Sequence, residues 1–224
     1  SVLIDDEVIA GIESMNDLAP LHNPANIMGI NASIELFGEK VPQVAVFDTA
    51  FHQTIPDYAY MYALPYKYYL KHGIRRYGFH GTSHRYVSAR TTDFLMKKYP
   101  GKYNADELKI ITCHLGNGAS LTAVDGGKCV DTSMGLTPLG GFMMGTRSGD
   151  LDPSVVTYLA GKENLSPAEM DTLLNKKSGL LGVSGVSSDD RDVTAAEEAG
   201  NERAHLAHEM LYYQIAKYIG QYYV

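Results

Sequence analysis

Several residues in this chain are of types, and at spacings, that can handle phosphate or carboxylate groups. Asp48 follows the apolar run VAVF at 44–47, which reads as a strand covered on both faces. A carboxylate at a strand's carboxyl end can bind Mg²⁺, align an attacking carboxylate, or simply cap the next turn. Arg147 lies in MGTRSGD at 144–150, where flanking glycines can aim its guanidinium fork at a carboxylate or a transferring phosphoryl group; a surface ion pair is the alternative. The string LGNG at 115–118 joins two expected strands. It is either an ordinary hairpin turn or a turn whose backbone N–H groups, with the Asn117 side chain, approach phosphate oxygens. His80 and His84 stand four apart, which on one helix is metal-ligand spacing, but Gly81 and the cap Thr82 or Ser83 break that helix. His80 is therefore read as a separate hydrogen-bond donor in a loop ahead of the helix. His205 and His208, beside Glu209, lack a third ligand and are read as a solvated helix face.

These residues need elements to position them. Residues 5–15 read as a helix, and Asn23 with Pro24 opens another whose apolar face, Ile27, Ile30 and Ile34, ends at Gly38. A helix is predicted from Thr82 or Ser83 to Lys98, before a Pro-Gly pair. Residues 108–113 and 120–124 are predicted strands, with a second turn at DGG, 125–127. Later helices are marked by Asp152-Pro153, by the capping box Ser166 to Glu169, and by the apolar phase of Leu211, Ile215 and Ile219 in a segment over 203–219. Mixed helices and strands make this an α/β chain. A change of composition over 53–58 is the expected domain boundary, dividing the chain into 1–53 and 54–224. The tyrosines between Tyr58 and Tyr69 alternate with Ala, Leu and Met, a pattern of core or subunit-interface packing rather than base stacking.

With 224 residues and 45% hydrophobic content, the chain can bury a sizeable core. A net charge of −7 without a basic run excludes nucleic acid and anionic membranes as main partners and favours small ligands. Cys113 and Cys129 form no C-x-x-C pair, so neither a disulfide framework nor a zinc knuckle is indicated, and a cytoplasmic setting is the expectation. There is no transmembrane-length apolar stretch. Ser1 in place of Met and an abrupt end after 215–224 read as a piece of a longer protein.

Five ordered strings carry a resemblance: APLHNP at 19–24, FDTAFH at 47–52, GFHGTSH at 78–84, HLGNG at 114–118 and GTRSGDLDP at 145–153. Together they resemble the acetate kinase family, of the acetate and sugar kinase, Hsp70 and actin superfamily, over nearly the whole chain. The resemblance implies a ribonuclease H-like (actin-like ATPase) fold, with parts of two domains around a nucleotide cleft: 1–53 would end the first domain, and 54–224 would form most of the second, nucleotide-binding and dimerising one. It implies reversible phosphoryl transfer from ATP to acetate, giving acetyl phosphate and ADP with Mg²⁺ or Mn²⁺, in a homodimer. Asp48 would be the essential aspartate and possible metal ligand, and His80 and Arg147 the transition-state stabilisers. Leu21, His22, Phe79, Pro138 and Arg147 would bind substrate. His114, Leu115, Gly116, Asn117 and Gly118 would hold ATP phosphates, and Asp189, Asp190 and Arg191 the adenosine. Asp190 departs from the bulky residue the family often has, which weakens stacking on adenine there. The family's N-terminal phosphate loop, a second substrate arginine, the Gly-Ile-Gly adenine segment and a metal-linked glutamate have no counterpart in this sequence. The rival expectations are a propionate or butyrate kinase, since one methylene discriminates by only about 1–3 kcal/mol, and a nucleotide-binding fragment without turnover.

Overall fold

The computed structural model describes residues 1–16, 22–38 and 40–224. The chain opens with β1 (Val2–Leu3), followed by α1 (Asp6–Glu13) and α2 (Asn23–Phe37). Asp5 caps α1 by accepting the Val8 N–H at 2.8 Å, satisfying one of the donors that a helix start leaves unpaired. Pro24 sits in the first turn of α2 and Gly38 at φ 76° ends that helix, as the residue types predict, but the cap position falls at His22, without a side-chain cap, so Asn23 is the first helical residue rather than the cap. β2 (Val44–Ala45) returns antiparallel to β1, with Val2 opposite Ala45.

Here the expected four-residue buried strand fails. Only Val44 and Ala45 find backbone partners, because β1 offers only two, and Val46 and Phe47 are 56% and 40% exposed. Asp48 consequently lies in a turn beyond the strand rather than at its carboxyl end. A 3₁₀ turn over Ala50–Thr54 then buries His52, and α3 (Asp57–Tyr60) and α4 (Lys67–His72) carry the tyrosine-rich stretch. Tyr58 and Tyr66 remain exposed, whereas the hydroxyls of Tyr60 and Tyr69 meet at 3.3 Å.

Next comes α5 (Gly81–Lys98). The expected Thr82 or Ser83 cap is absent: His80 occupies the cap position in the left-handed region at φ 57°, without a side-chain cap. Gly81 starts the helix because its Cα lies against Asp48, whose carbonyl a Cβ would strike.

β3 (Lys109–Leu115), β4 (Ala119–Asp125) and β5 (Lys128–Thr132) form the antiparallel meander that the two turn signals predict. Thr112 faces Thr122, His114 faces Ser120 and Leu115 faces Ala119 across the first hairpin. β4 is buried from Ala119 through Val124. Its alternate side chains Ala119 and Leu121 join Met134, Phe142 and Met144 in one apolar cluster, while Ser120 and Thr122 point to the other face.

The remaining helices close the fold: α6 (Pro153–Glu163), α7 (Pro167–Lys176), α8 (Gly179–Ser184), α9 (Asp190–Glu198) and α10 (Glu202–Tyr223). The Ser166–Glu169 capping box forms as its spacing predicts. α10 runs further than the 203–219 expectation. It presents Leu211, Ile215, Tyr218 and Tyr222 to the β4 cluster, and Ala204 and Ala207 to a second cluster with Met143, Leu180 and Val193. The loop 142–147 is thereby wedged between the meander and the helices.

Candidate active site

Asp48 and His80 hold each other at the start of α5. The Asp48 Oδ2 accepts the His80 backbone N–H at 2.7 Å, and its carbonyl accepts the Gly81 N–H at 2.9 Å. A non-glycine residue in the left-handed region costs roughly 1 kcal/mol or more, and these two bonds offset that cost. His80 thus stands ahead of the helix, as the sequence reading has it, and its ring turns toward the first hairpin.

Two side chains converge on the LGNG turn. A Cβ built on Gly118 would lie 3.1 Å from Arg147 Nη1 and 3.5 Å from His80 Nε2. One small volume over Gly118 is therefore reached by a guanidinium and by an imidazole nitrogen. The backbone there is open because position 118 carries no side chain. His114 stacks on His80, with ring centroids 4.1 Å apart and planes 22° off parallel, and its Nδ1 lies 2.9 Å from Ser83 Oγ.

Arg147 is fixed from behind. Its Nη1 donates to the Pro138 carbonyl at 3.2 Å, and its carbonyl accepts the Met144 N–H at 3.0 Å. The start of α8 grips the same loop: Ser178, Leu180 and Leu181 N–H groups donate to the carbonyls of Thr146, Met144 and Gly145 at 2.9 to 3.0 Å. On the far side, Gly145 lies against the Asn117 side chain and the Ser188 carbonyl, so the phosphate-type turn and the segment leading to 189–191 meet at one glycine.

The electrostatics follow from this crowding. Burial, then the neighbouring His114, pushes the His80 pKa down to about 4; Arg147 adds to the fall and Asp48 opposes it. Burial likewise pushes His84 down to about 3 and lowers His52 and Arg147. At neutral pH, His80 and His84 are neutral imidazoles beside a cationic guanidinium. Such a site offers hydrogen-bond donors and a positive charge to an anion.

Of the expected site residues, the structure gathers Asp48, His80, His114, Asn117, Gly118, Pro138 and Arg147. Leu115 and Gly116 flank the turn on its exposed side. Phe79 is half-buried against the β4 cluster, and its carbonyl lies 2.8 Å from His52 Nε2. His22 is exposed just before α2, and Leu21 lies outside the described residues.

Asp189 caps α9, and its carboxylate pairs with the exposed Arg191 at 2.6 Å. Asp190 turns the other way, with its Oδ1 3.2 Å from His208 Nε2. That contact corrects the solvated-face expectation for His208. It is only 1% exposed and sits between Asp190 and Glu197, because α9 folds over the face of α10 that carries it. His205, one turn earlier, is exposed and meets Glu197 at 2.7 Å.

Sequence reasoning missed Thr112, Ser120 and His52. His84 Nδ1 lies 2.7 Å from Thr112 Oγ1, His84 Nε2 lies 2.7 Å from Ser120 Oγ, and Ser120 Oγ lies 2.8 Å from His80 Nδ1. The alternation of hydroxyl and apolar residues along 119–124 was the available signal: a polar face buried on a central strand needs polar partners.

For a divalent cation the fit is partial. The Asp48 Oδ1 makes no hydrogen bond among the described residues, and no group of three His, Cys, Asp or Glu side chains among them is arranged to hold a metal. One carboxylate plus substrate phosphates and water is a common Mg²⁺ arrangement.

Comparison with known proteins shows the family. The Acetokinase family matches residues 1–224. An acetate kinase of Bacteroides thetaiotaomicron is 60% identical over 222 residues, covering 99% of this chain and 54% of that protein. The crystal structure of Porphyromonas gingivalis acetate kinase superposes with a TM-score of 0.89 at 55% identity, over 99% of this chain and 54% of that one. A propionate kinase from Francisella tularensis superposes with a TM-score of 0.91 at 48% identity, over 99% and 55%. The chain spans about half the length of the curated relatives it matches.

Proposed function

This chain belongs to the acetokinase family, and from that we propose that the protein it forms part of transfers a phosphoryl group between ATP and acetate, giving ADP and acetyl phosphate. One observation carries the site assignment: His80 Nε2 and Arg147 Nη1 both address the space over Gly118. The backbone and side chain of the 114–118 turn would hold nucleotide phosphates, and the transferring group would sit where the two donors converge.

Direct in-line transfer needs positioning and neutralisation of spread negative charge more than covalent chemistry. Arg147 supplies a fixed positive fork held on Pro138, and His80 supplies a neutral donor, both placed before substrate arrives. Asp48 holds the His80 backbone through Oδ2, and its Oδ1 makes no hydrogen bond among the described residues. Asp48 is the residue of this chain that would hold Mg²⁺ or Mn²⁺, which would supply positive charge to neutralise the phosphates. Phe79 and Pro138, with Leu21, would confine the acyl methyl group, His22 would be a substrate-binding histidine, and residues 189–191 would face the nucleoside. The division at 53/54, a homodimer and a cytoplasmic setting belong to the same proposal. Among the described residues no helix is long and apolar enough to cross a membrane.

A second acyl substrate is favoured by the likeness to the propionate kinase. Trapping acyl phosphates with hydroxylamine across formate, acetate, propionate and butyrate, using the full-length protein, decides between them. Acetate should give the highest kcat/KM, with propionate lower by roughly ten- to two-hundredfold, the range for one methylene. A higher value for propionate would reassign the substrate, and hydroxamate from none would overturn the reaction.

A further inference from the structure

Behind the converging donors runs a closed chain of polar atoms. It passes from His80 Nδ1 to Ser120 Oγ, from Ser120 Oγ to His84 Nε2, and from His84 Nδ1 to Thr112 Oγ1, at 2.8, 2.7 and 2.7 Å. Ser120 is fully buried, His84 is 1% exposed and Thr112 is 3% exposed, so water does not substitute for any member. The proposed reaction gives His80 a donor's role but does not say which ring nitrogen carries its proton. The chain behind it does.

A hydroxyl has one proton to donate, and a neutral imidazole donates from one nitrogen and accepts at the other. Two orders of protons therefore satisfy the chain. In the first, Thr112 donates to the Thr122 carbonyl, 3.4 Å away, His84 Nδ1–H donates to Thr112, Ser120 donates to His84 Nε2, and His80 Nδ1–H donates to Ser120, leaving His80 Nε2 bare. In the second, Thr112 donates to His84 Nδ1, His84 Nε2–H donates to Ser120, and Ser120 donates to His80 Nδ1. The His80 proton is then on Nε2, facing Gly118.

The two orders differ only at their ends. At the Thr112 end, the second order gives up a 3.4 Å contact that is long for a hydroxyl bond. At the His80 end it gains a hydrogen bond to an anionic phosphoryl oxygen, an acceptor without a proton of its own. Charge-assisted bonds of this kind are roughly twice as strong as neutral ones. We propose that Ser120 and His84 are positioning residues that lock neutral His80 as the Nε2–H tautomer, so that it donates to the transferring phosphoryl group without being protonated. This rests on the site assignment made above. Burial, which holds His84 well below the usual imidazole range, agrees with a neutral ring at the middle of the chain.

Long-range ¹H–¹⁵N correlation spectra of the full-length protein labelled with [¹⁵N]histidine read the tautomer directly. They are recorded at neutral pH with ADP, Mg²⁺ and inorganic phosphate, and His80 is assigned by its absence in His80→Asn. The expected pattern is a protonated Nε2 and a bare Nδ1 in His80. A proton on Nδ1 alone, or on both nitrogens, overturns the proposal, and the spectrum decides even if the variants below fold poorly. In kinetics, Ser120→Ala should lower kcat about tenfold or more while KM for acetate and for ATP change less than about twofold, as when an outer partner of a working imidazole is removed. An unchanged kcat in Ser120→Ala, with His80→Asn impaired, defeats the relay alone. An unchanged kcat in His80→Asn defeats the site assignment itself.

Discussion

A single methyl group tests whether His80 and Arg147 address the same point. Gly118→Ala would place a carbon 3.1 Å from Arg147 Nη1 and 3.5 Å from His80 Nε2, inside the volume assigned to the transferring group. The expected result is a fall in kcat of about tenfold or more, with an unchanged circular dichroism spectrum and an unchanged melting temperature within about 2 °C, since the nearest atoms the new carbon meets are side-chain atoms of Arg147 and His80. Titration supplies a second test at this scale. The unfolded His84 takes up a proton near 6.5, whereas the folded ring stays neutral to about 3, so the unfolded state binds more protons between those values. Stability is thus fully present above pH 6.5 and is lost as pH falls toward 3, with His80 acting in the same direction down to about 4. Urea midpoints measured from pH 7.5 to pH 4 should decline, and His84→Gln, less stable at pH 7.5, should decline less steeply.

Among the elements, what was legible in the sequence was what is local. The Ser166–Glu169 box and the turns at 115–118 and 125–127 are set by residues within a few positions of one another, and all form where expected. The strand at 44–47 and the burial of His208 were not legible. Each depends on a distant partner: a two-residue β1 in one case, and α9 lying over α10 in the other. The site shows the same division. Its strings named His80, Gly118 and Arg147, but the hydroxyls of Thr112 and Ser120 became visible only once β3 and β4 were paired. The loop carrying Arg147 is held at element scale by α8, where Gly179 sits at φ 62° with its Cα against the carbonyl of Met144. Gly179→Ala adds both strain and a backbone clash. It should destabilise the protein by more than about 1 kcal/mol by denaturant titration and should lower activity through Arg147.

At the scale of the whole molecule, the chain spans about half the length of the curated relatives it matches. The Asp48 Oδ1 makes no hydrogen bond among the described residues, and the 115–117 side of the turn is exposed; both are features the proposed substrates would meet. Net charge −7 is compatible with the proposed anionic substrates because the positive fork of Arg147 is concentrated where phosphate would lie. Exposed tyrosines at 58 and 66 with Leu70 leave an aromatic face on α3 and α4 that the proposed homodimer would draw on. The central claim is that the space over Gly118 is where phosphate passes to a carboxylate. Its most direct test is the rate of acyl hydroxamate formation from ATP, Mg²⁺ and acetate by the full-length protein and its Arg147→Ala variant, with ATP binding measured alongside by calorimetry. Loss of one preorganised donor costs on the order of 3 kcal/mol, so the variant should bind ATP within a few-fold of the parent yet turn over about a hundredfold more slowly. Equal rates in the two proteins would contradict the account.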